Sequence, residues 1–262
     1  MMMSLYTAAS GMGAQQQNID TIANNLANQG THGFKKMRLG FQDLMYQTEK
    51  PAGQTLASGG TLPVGSSTGM GTKVASTTRV MTQGVFQQTG SPLNIAIQGE
   101  GFMQVLLPNG TTAYTRDGNL QRDASGNLVT SDGYPLQPAV AIPADATQVI
   151  IGTDGKISVQ QAGATQPNDI GQLTLARFPN TAGMQSIGQN LYLQTPASGT
   201  PTLSNPGTTG TGTVSQGFLE MSNVQVVEEM VNMMTAQRAY EINSKVIQGA
   251  DRMLGILANL KQ

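Results

Sequence analysis

Near the start of the chain, Leu5, Ala8, Met12, Gln15, Ile19, Ile22 and Leu26 recur in alternating steps of three and four. That rhythm keeps them on one face of a helix in heptad register. Ser4 is placed to cap such a helix and Gly30 to end it in a left-handed turn, with His32-Gly33 offering a second turn before Phe34. A helix is therefore predicted from about Ser4 to about Gln29. Towards the other end, Ala236, Ala239, Asn243, Val246, Ala250, Met253, Leu257 and Leu260 repeat the same steps. Upstream of them Val224, Val227, Val231 and Met234 form a stripe out of phase with that seam. One long helix is expected, capped by Ser222 or Asn223 and running almost to Leu260, with a change of partner or twist near Thr235. Glu228 and Glu229 fall near its positive end.

Between the two helices the period changes. Residues 34–49, "FKKMRLGFQDLMYQTE", read as a short helix or an extended arm, and "KPAGQTLASGGTLPVGSSTGMG" as a Gly, Ser, Thr and Pro-rich linker. From Thr72 onward the pattern is that of short strands. Asn109-Gly110 is a strong hairpin signal, and Asp123 to Asn127, Ser131 to Gly133 and Asp154-Gly155 supply further turns. No repeat at solenoid spacing is present. The predicted class is α+β: an N-terminal helical segment (1–34), an extended linker or arm (35–71), an antiparallel barrel- or sandwich-like β domain (72–220) and a C-terminal helical segment (221–262). The two terminal helices are expected to meet as a coiled-coil-like stalk, although the whole β domain separates them in sequence.

Composition narrows the function. Charged residues make up 11% of the chain and the net charge is -1, against roughly a quarter charged in ordinary soluble domains. No electrostatic footprint for nucleic acid or an anionic membrane is visible, so neither nucleic-acid binding nor membrane insertion is expected. Cysteine is absent, which removes thiolate chemistry and fits an oxidising compartment. The opening "MMMSLYTAASGMGAQQQ" has no basic n-region and no continuous apolar stretch, so it reads as neither a signal peptide nor an anchor, and any export would use another route.

Chemical motifs fail on spacing. "GSSTGMGTKV" matches neither phosphate-loop pattern, and Gly99 and Gly101 in "QGEGF" are better explained as bends in a strand. Neither Asp117 nor Asp123 opens a calcium loop with Gly at position six and Glu at position twelve. His32 is the only histidine and lies between turn residues, so His-based triads and multi-His zinc sites are excluded. Glu228 and Glu229 suit a helix N-terminus better than acid-base work. No catalysis, cofactor or metal is expected. A secreted glycan-binding module on a helical stalk is disfavoured by 5% aromatics and no Trp.

Among residues 1–34 the only formal charge is Asp20, while Gln16, Gln17, Asn18, Asn24, Asn25 and Asn28 supply amides. Amides donate and accept together, so they satisfy neighbours in a packed interface without the several kcal/mol per ion that burying charge costs. A helix apolar on one side and amide-bearing on the other suits burial between protein surfaces.

Three stretches carry a resemblance. "ANNLANQGTHGFKK" is similar to the N-terminal signature of flagellar axial proteins of the rod and hook. "GEGFMQVLLPNGTTAYTRDGNLQRDASGNLVTSDGYPLQP" resembles the β segment of that family, and "SNVQVVEEMVNMMTAQRAYEINSKVIQGADRML" its C-terminal helix. Length, the linker "TLPVGSSTGMGTKV" and "YTRDG" point to distal-rod members rather than to the proximal rod or the longer hook protein, although both of those share the terminal motifs.

The resemblance implies a structural subunit that polymerises helically with itself into a hollow, rigid drive shaft. That shaft would carry torque from motor to hook, cross the periplasm within the basal body and enclose the export channel. Implied partners are the proximal rod proteins, the hook protein or junction, the surrounding L/P ring bushing and the flagellar type III export apparatus, through which subunits pass without a cleaved signal peptide. The linker, Thr48 to Gly71, is expected to pack against neighbouring subunits. On the first helix the expected assembly residues are Leu5, Met12, Ile19, Ile22, Asn24, Asn25, Leu26 and Asn28, continuing into Thr31, Gly33 and Phe34. On the second they are Gln237, Arg238, Tyr240, Asn243, Val246, Met253, Leu257 and Leu260. Ile22→Asp or Leu257→Asp is expected to abolish assembly while the β domain stays folded.

Overall fold

A computed structural model describes residues 2–53, 63–162, 166–208 and 210–259, apart from the side chains of Met2, Leu257 and Ala258. The class is α+β, with a helix at each end and a mostly antiparallel β middle. Two compact units form, and neither is continuous in sequence. One gathers Met1–Ala27, Met37–Thr78 and Gln225–Gln262, the other Asn28–Lys36 and Arg79–Val224. The sequence blocks therefore do not map one to one onto units: most of the arm belongs with the helices, and the end of the N-terminal motif belongs with the β middle.

In the first unit, helix α1 (Met2–Ala27) packs on helix α2 (Val226–Asn259). Asn25 Nδ2 reaches Glu229 Oε2 at 3.4 Å, and a Cβ on Gly11 would meet Asn243 Nδ2 at 3.0 Å. Moving fourteen residues back along α1 thus moves fourteen forward along α2, so the pair is antiparallel and keeps register over two heptads. The seam is built from small and polar groups around one large apolar residue, Ile22: Ala8, Ala14 and Asn25 are buried with it from α1, and Glu229, Ala236 and Ala250 from α2.

This corrects three expectations. The α2 helix is unbroken, without the change at Thr235, because its buried positions continue in step from Glu229 to Ala250. The Val227, Val231 and Met234 stripe faces solvent, as do Val246 and Met253 of the expected seam. Neither proposed cap closes the helix: Ser222 Oγ accepts from the N–H of Val224 at 3.3 Å, and the Asn223 side chain is occupied elsewhere in the β unit.

The arm is extended rather than helical. Met37–Asp43 pairs with Thr72–Arg79, and Tyr46–Lys50 pairs antiparallel with Ser66–Gly69. The 54–62 part of the predicted linker lies outside the described residues. Where the arm returns, Gly71 has φ +110 and lies so close to α1 that a Cβ would fall 2.1 Å from Ser10 Oγ. Only glycine fits there.

In the second unit six antiparallel strands run in the order Gln185–Gly188, Leu191–Leu193, Thr112–Thr115, Phe102–Leu106, Leu175–Arg177, Thr202–Ser204, and Leu136–Gln137 adds to Phe102–Leu106. A separate three-stranded sheet joins Ala146–Ile151, Lys156–Gln161 and Asn168–Gln172. The predicted turns form. Gly110 N donates to Leu107 O at 2.9 Å while Asn109 Oδ1 accepts from the N–H of Thr111, and Gly126 and Gly155 take positive φ in the other two hairpins. Ile95, Ile97, Met103, Val105, Leu175 and Ile157 fill the core, each contributing about 2 kcal/mol by burial. A second cluster brings Phe102, Tyr114, Phe178 and Tyr192 together edge to face.

Candidate functional site

The features that stand out among the described residues are exposed surfaces and the polar nodes that hold them. The most extended surface runs along α2. Val227, Met230, Val231, Met234, Ile242, Val246, Met253 and Ile256 are all exposed, Val227 at 77%. Apart from the adjacent Met230 and Val231, successive members are three, four, seven or eight residues apart, so they form a stripe on the side away from Ala236 and Ala250. The usual arrangement is inverted: small groups face the partner helix and large apolar ones face water. The arm adds Phe41, Met45, Tyr46 and Val64, also exposed, with Met45 at 83%. Apolar surface of this extent marks an interaction site.

The first polar node sits in the helical unit. Asn25 is 2% exposed. Its Nδ2 donates to Met37 O at 2.8 Å and its Oδ1 accepts from Met37 N at 2.9 Å, so one amide closes both main-chain groups of the first arm residue while touching Glu229. A carboxylate at this position lacks the donor, and a lysine lacks the acceptor.

The second node sits in the β unit and explains the rest of the N-terminal motif. Gly33 has φ +68, and a Cβ there would fall 2.9 Å from Asp117 N, inside the "YTRDG" segment. Gly33 N donates to Glu220 O at 2.8 Å. Lys35, fully buried, donates from Nζ to Glu220 Oε1 at 2.5 Å and to Thr82 O at 2.8 Å. Burial pushes the Lys35 amine below its ordinary range even though Glu220 pulls the other way. Burial likewise raises the Asp117 carboxyl. Arg79 lies over Phe34 at 5.7 Å and over Tyr192 at 5.6 Å. Asn223 ties the node together, accepting from Lys36 N at 2.7 Å and donating to Val80 O at 2.8 Å.

The expected assembly residues therefore divide. Ile22, Asn25, Gly33 and Phe34 are buried within the single chain, and Leu5, Met12, Ile19, Leu26, Asn28, Thr31 and Asn243 are half-buried. Asn24, Gln237, Arg238, Tyr240, Val246 and Met253 are exposed. Leu260 lies outside the described residues, and the Leu257 side chain is among those not described. Sequence reasoning noted the stripe of Val227, Val231 and Met234 without assigning it to assembly, missed Met230, Ile242 and Ile256 beside it, and missed the Lys35–Glu220 pair, which carried no local signal.

Among the described residues no group of His, Cys, Asp and Glu is arranged to hold a metal ion, and no helix is long and apolar enough to cross a membrane.

Three family models match the chain: "Flagella basal body rod protein" over residues 5–35, "Flagellar hook protein FlgE/F/G D1 domain" over 96–159, and "Flagellar basal body rod FlgEFG protein C-terminal" over 215–260. The first two enclose the motifs that meet at Gly33 and Asp117, and the third encloses α2. The flagellar basal-body rod protein FlgG of Borreliella burgdorferi is 49% identical over 264 residues, covering both chains in full. That of Caulobacter vibrioides is 49% identical over 261 residues, covering 99% of this chain and 100% of its own. The flagellar hook-basal body complex protein FlhP of Bacillus subtilis is 32% identical over 277 residues, again covering both chains in full. With such identity from end to end, the chain belongs to the flagellar basal-body rod protein family.

Proposed function

We propose that this chain is the distal-rod subunit, a structural element that polymerises with itself into the straight shaft of the basal body and catalyses no reaction. The observation that carries the reading is the outward apolar stripe of α2. A single chain leaves it in water, and many copies would cover it. The antiparallel helix pair would then form the coiled-coil-like inner wall around the export channel. With Asp20 as its only charge, α1 offers a passing unfolded chain little to bind. The linker from Thr48 to Gly71 would pack against neighbouring copies and stiffen the shaft, with the exposed Met45, Tyr46 and Val64 among the apolar contacts. Proximal rod proteins, the hook or its junction and the L/P ring are the adjoining partners on this reading. The subunit would reach its place across the periplasm through the type III export apparatus, without a cleaved signal peptide.

Ile22→Asp is no longer the informative substitution, because Ile22 is buried inside the chain's own helix pair. Val231→Asp with Met234→Asp acts on the outward stripe instead. Losing two apolar contacts removes about 3 kcal/mol per interface, so the concentration needed for assembly rises more than about 100-fold. Electron microscopy of the concentrated full-length protein is expected to show straight tubes for the unmodified chain and none for the double variant. Tubes from the double variant at the same concentration would refute the reading.

A further inference from the structure

The β unit holds a groove of about 550 Å³. Three adjacent strands open onto it: Phe102–Leu106 and Thr202–Ser204 begin there, and Leu175–Arg177 ends there. Met81, Phe102, Phe178 and Pro179 make an apolar wall, and the lip carries an exposed ion pair, Arg177 Nε to Glu100 Oε2 at 2.9 Å.

Arg116 lines the same groove and is 5% exposed. Its Nη2 donates to the Gly99 carbonyl, and its guanidinium lies over the Phe102 ring at 5.6 Å. Its Nε is buried without a hydrogen-bond partner, 3.7 Å from Glu220 Oε2, which is itself unpartnered. The other oxygen of that carboxylate already accepts from Lys35 Nζ and from Gly84 N. Asp117, next in sequence, turns its Oδ1 to the N–H of Asn119 at 3.0 Å. Two buried cations therefore share one buried carboxylate, and an arginine with five N–H donors has most of them unused beside an open groove. An uncompensated cation in a low-dielectric site is costly, and an incoming anion relieves it.

We propose that the groove binds an aspartate or glutamate side chain presented on an extended peptide segment of a protein partner. The carboxylate sits on the spare Arg116 N–H groups, and the adjoining residue lies against Met81, Phe178 and Pro179. A peptide fits better than a sugar because Thr202–Ser204 is the last strand of its sheet. Among the described residues no strand pairs with its outer side, and Leu203 stands exposed beside it. Its free main-chain groups can receive an added strand that leads into the groove at Thr202.

The test is amide and arginine Nε–H NMR of the dilute, unassembled full-length chain. The probes are acetyl-Leu-Asp-Leu-amide, its Asn counterpart, and a disaccharide muropeptide. The Asp peptide is expected to shift Gly101, Phe102 and the Arg116 Nε–H saturably, binding at least about tenfold tighter than the Asn peptide. Glu100→Gln removes the competing lip carboxylate and tightens binding about threefold, while Arg177→Gln leaves Glu100 unpaired and weakens it by about the same factor. These two exposed lip variants keep the test independent of whether Arg116→Gln folds. Equal response to Asp and Asn peptides, saturation by the muropeptide alone, or indifference to both lip variants would overturn the proposal. Failure here leaves the assembly reading untouched, since no polymer is involved.

Discussion

Asn25→Ala tests whether the amides of α1 are structural parts or merely polar filler. In the native chain the side chain closes two main-chain bonds to Met37, at 2.8 and 2.9 Å, from a site 2% exposed to solvent. Each net bond is worth about 1 kcal/mol, and leaving a donor and an acceptor half-covered adds to that, so the loss is about 3 kcal/mol. Opening of the arm at Met37 should then become roughly 100-fold more frequent. Amide hydrogen exchange of the dilute protein reads this directly at the Met37 N–H. Gln17→Ala removes an exposed amide from the same helix and should stay within about 0.5 kcal/mol of the unmodified chain. Asn25→Asp should be at least as damaging as alanine, because it loses the donor to Met37 O and sets a carboxylate against Glu229. Exchange at Met37 within about threefold of wild type in Asn25→Ala would show that Asn25 does not hold the arm and would refute the argument.

Two further outcomes follow from the β unit. Gly118→Ala places a Cβ 1.5 Å from Ile95 O, whereas Gly90→Ala meets nothing within 4 Å. The first should cost at least about 3 kcal/mol in urea unfolding and the second less than about 1. Burial raises the Tyr192 phenol, with Arg79 opposing it, and burial also raises Tyr114. The folded chain keeps these protons after the unfolded chain has released them, so this contribution is intact below the unfolded value of 10.0 and is lost as pH climbs through the raised one. Urea unfolding followed above about pH 10 should show stability falling with pH, and Tyr192→Phe should make the fall shallower; an unchanged slope would contradict the assignment.

What was legible in the sequence is what local chemistry decides alone. Asn109-Gly110 and Asp154-Gly155 demand positive φ at glycine, and the structure supplies it at Gly110 and Gly155. Both long helices were visible from periodicity. Which side of α2 packs was not. Two stripes ran along it, and the apolar content of Val227, Val231 and Met234 gave no way to tell a face meant for this chain from a face meant for another. The apparent phase break at Thr235 came from reading the outer stripe upstream and the inner one downstream. The Lys35–Glu220 pair was hidden for a different reason. Its members lie 185 residues apart, and charged residues are presumed to face water until a fold says otherwise.

The composition of the helix seam follows from the same division of labour. Gly11, Ala8, Ala14, Ala236 and Ala250 let the two backbones approach closely, and Asn25 with Glu229 fixes their register. Such a seam specifies geometry but removes little apolar area from water, so it contributes modestly to the stability of the pair. The residues able to contribute more, Val227, Met230, Met234, Ile242 and Ile256, point the other way. Charge follows that split: α2, whose outer face is the sticky one, carries Glu228, Arg238, Glu241, Lys245, Asp251 and Arg252, while α1 carries Asp20 alone, and that carboxylate accepts from Gln16 Nε2 at 3.1 Å. Charges flanking an apolar stripe keep the lone chain dispersed and oppose mispairing, because a wrong register sets like charges together. A seam of large apolar residues would remove more area from water and hold the helix pair more tightly. On the proposed reading, the large residues on the outer face are the apolar area that the next copy would cover.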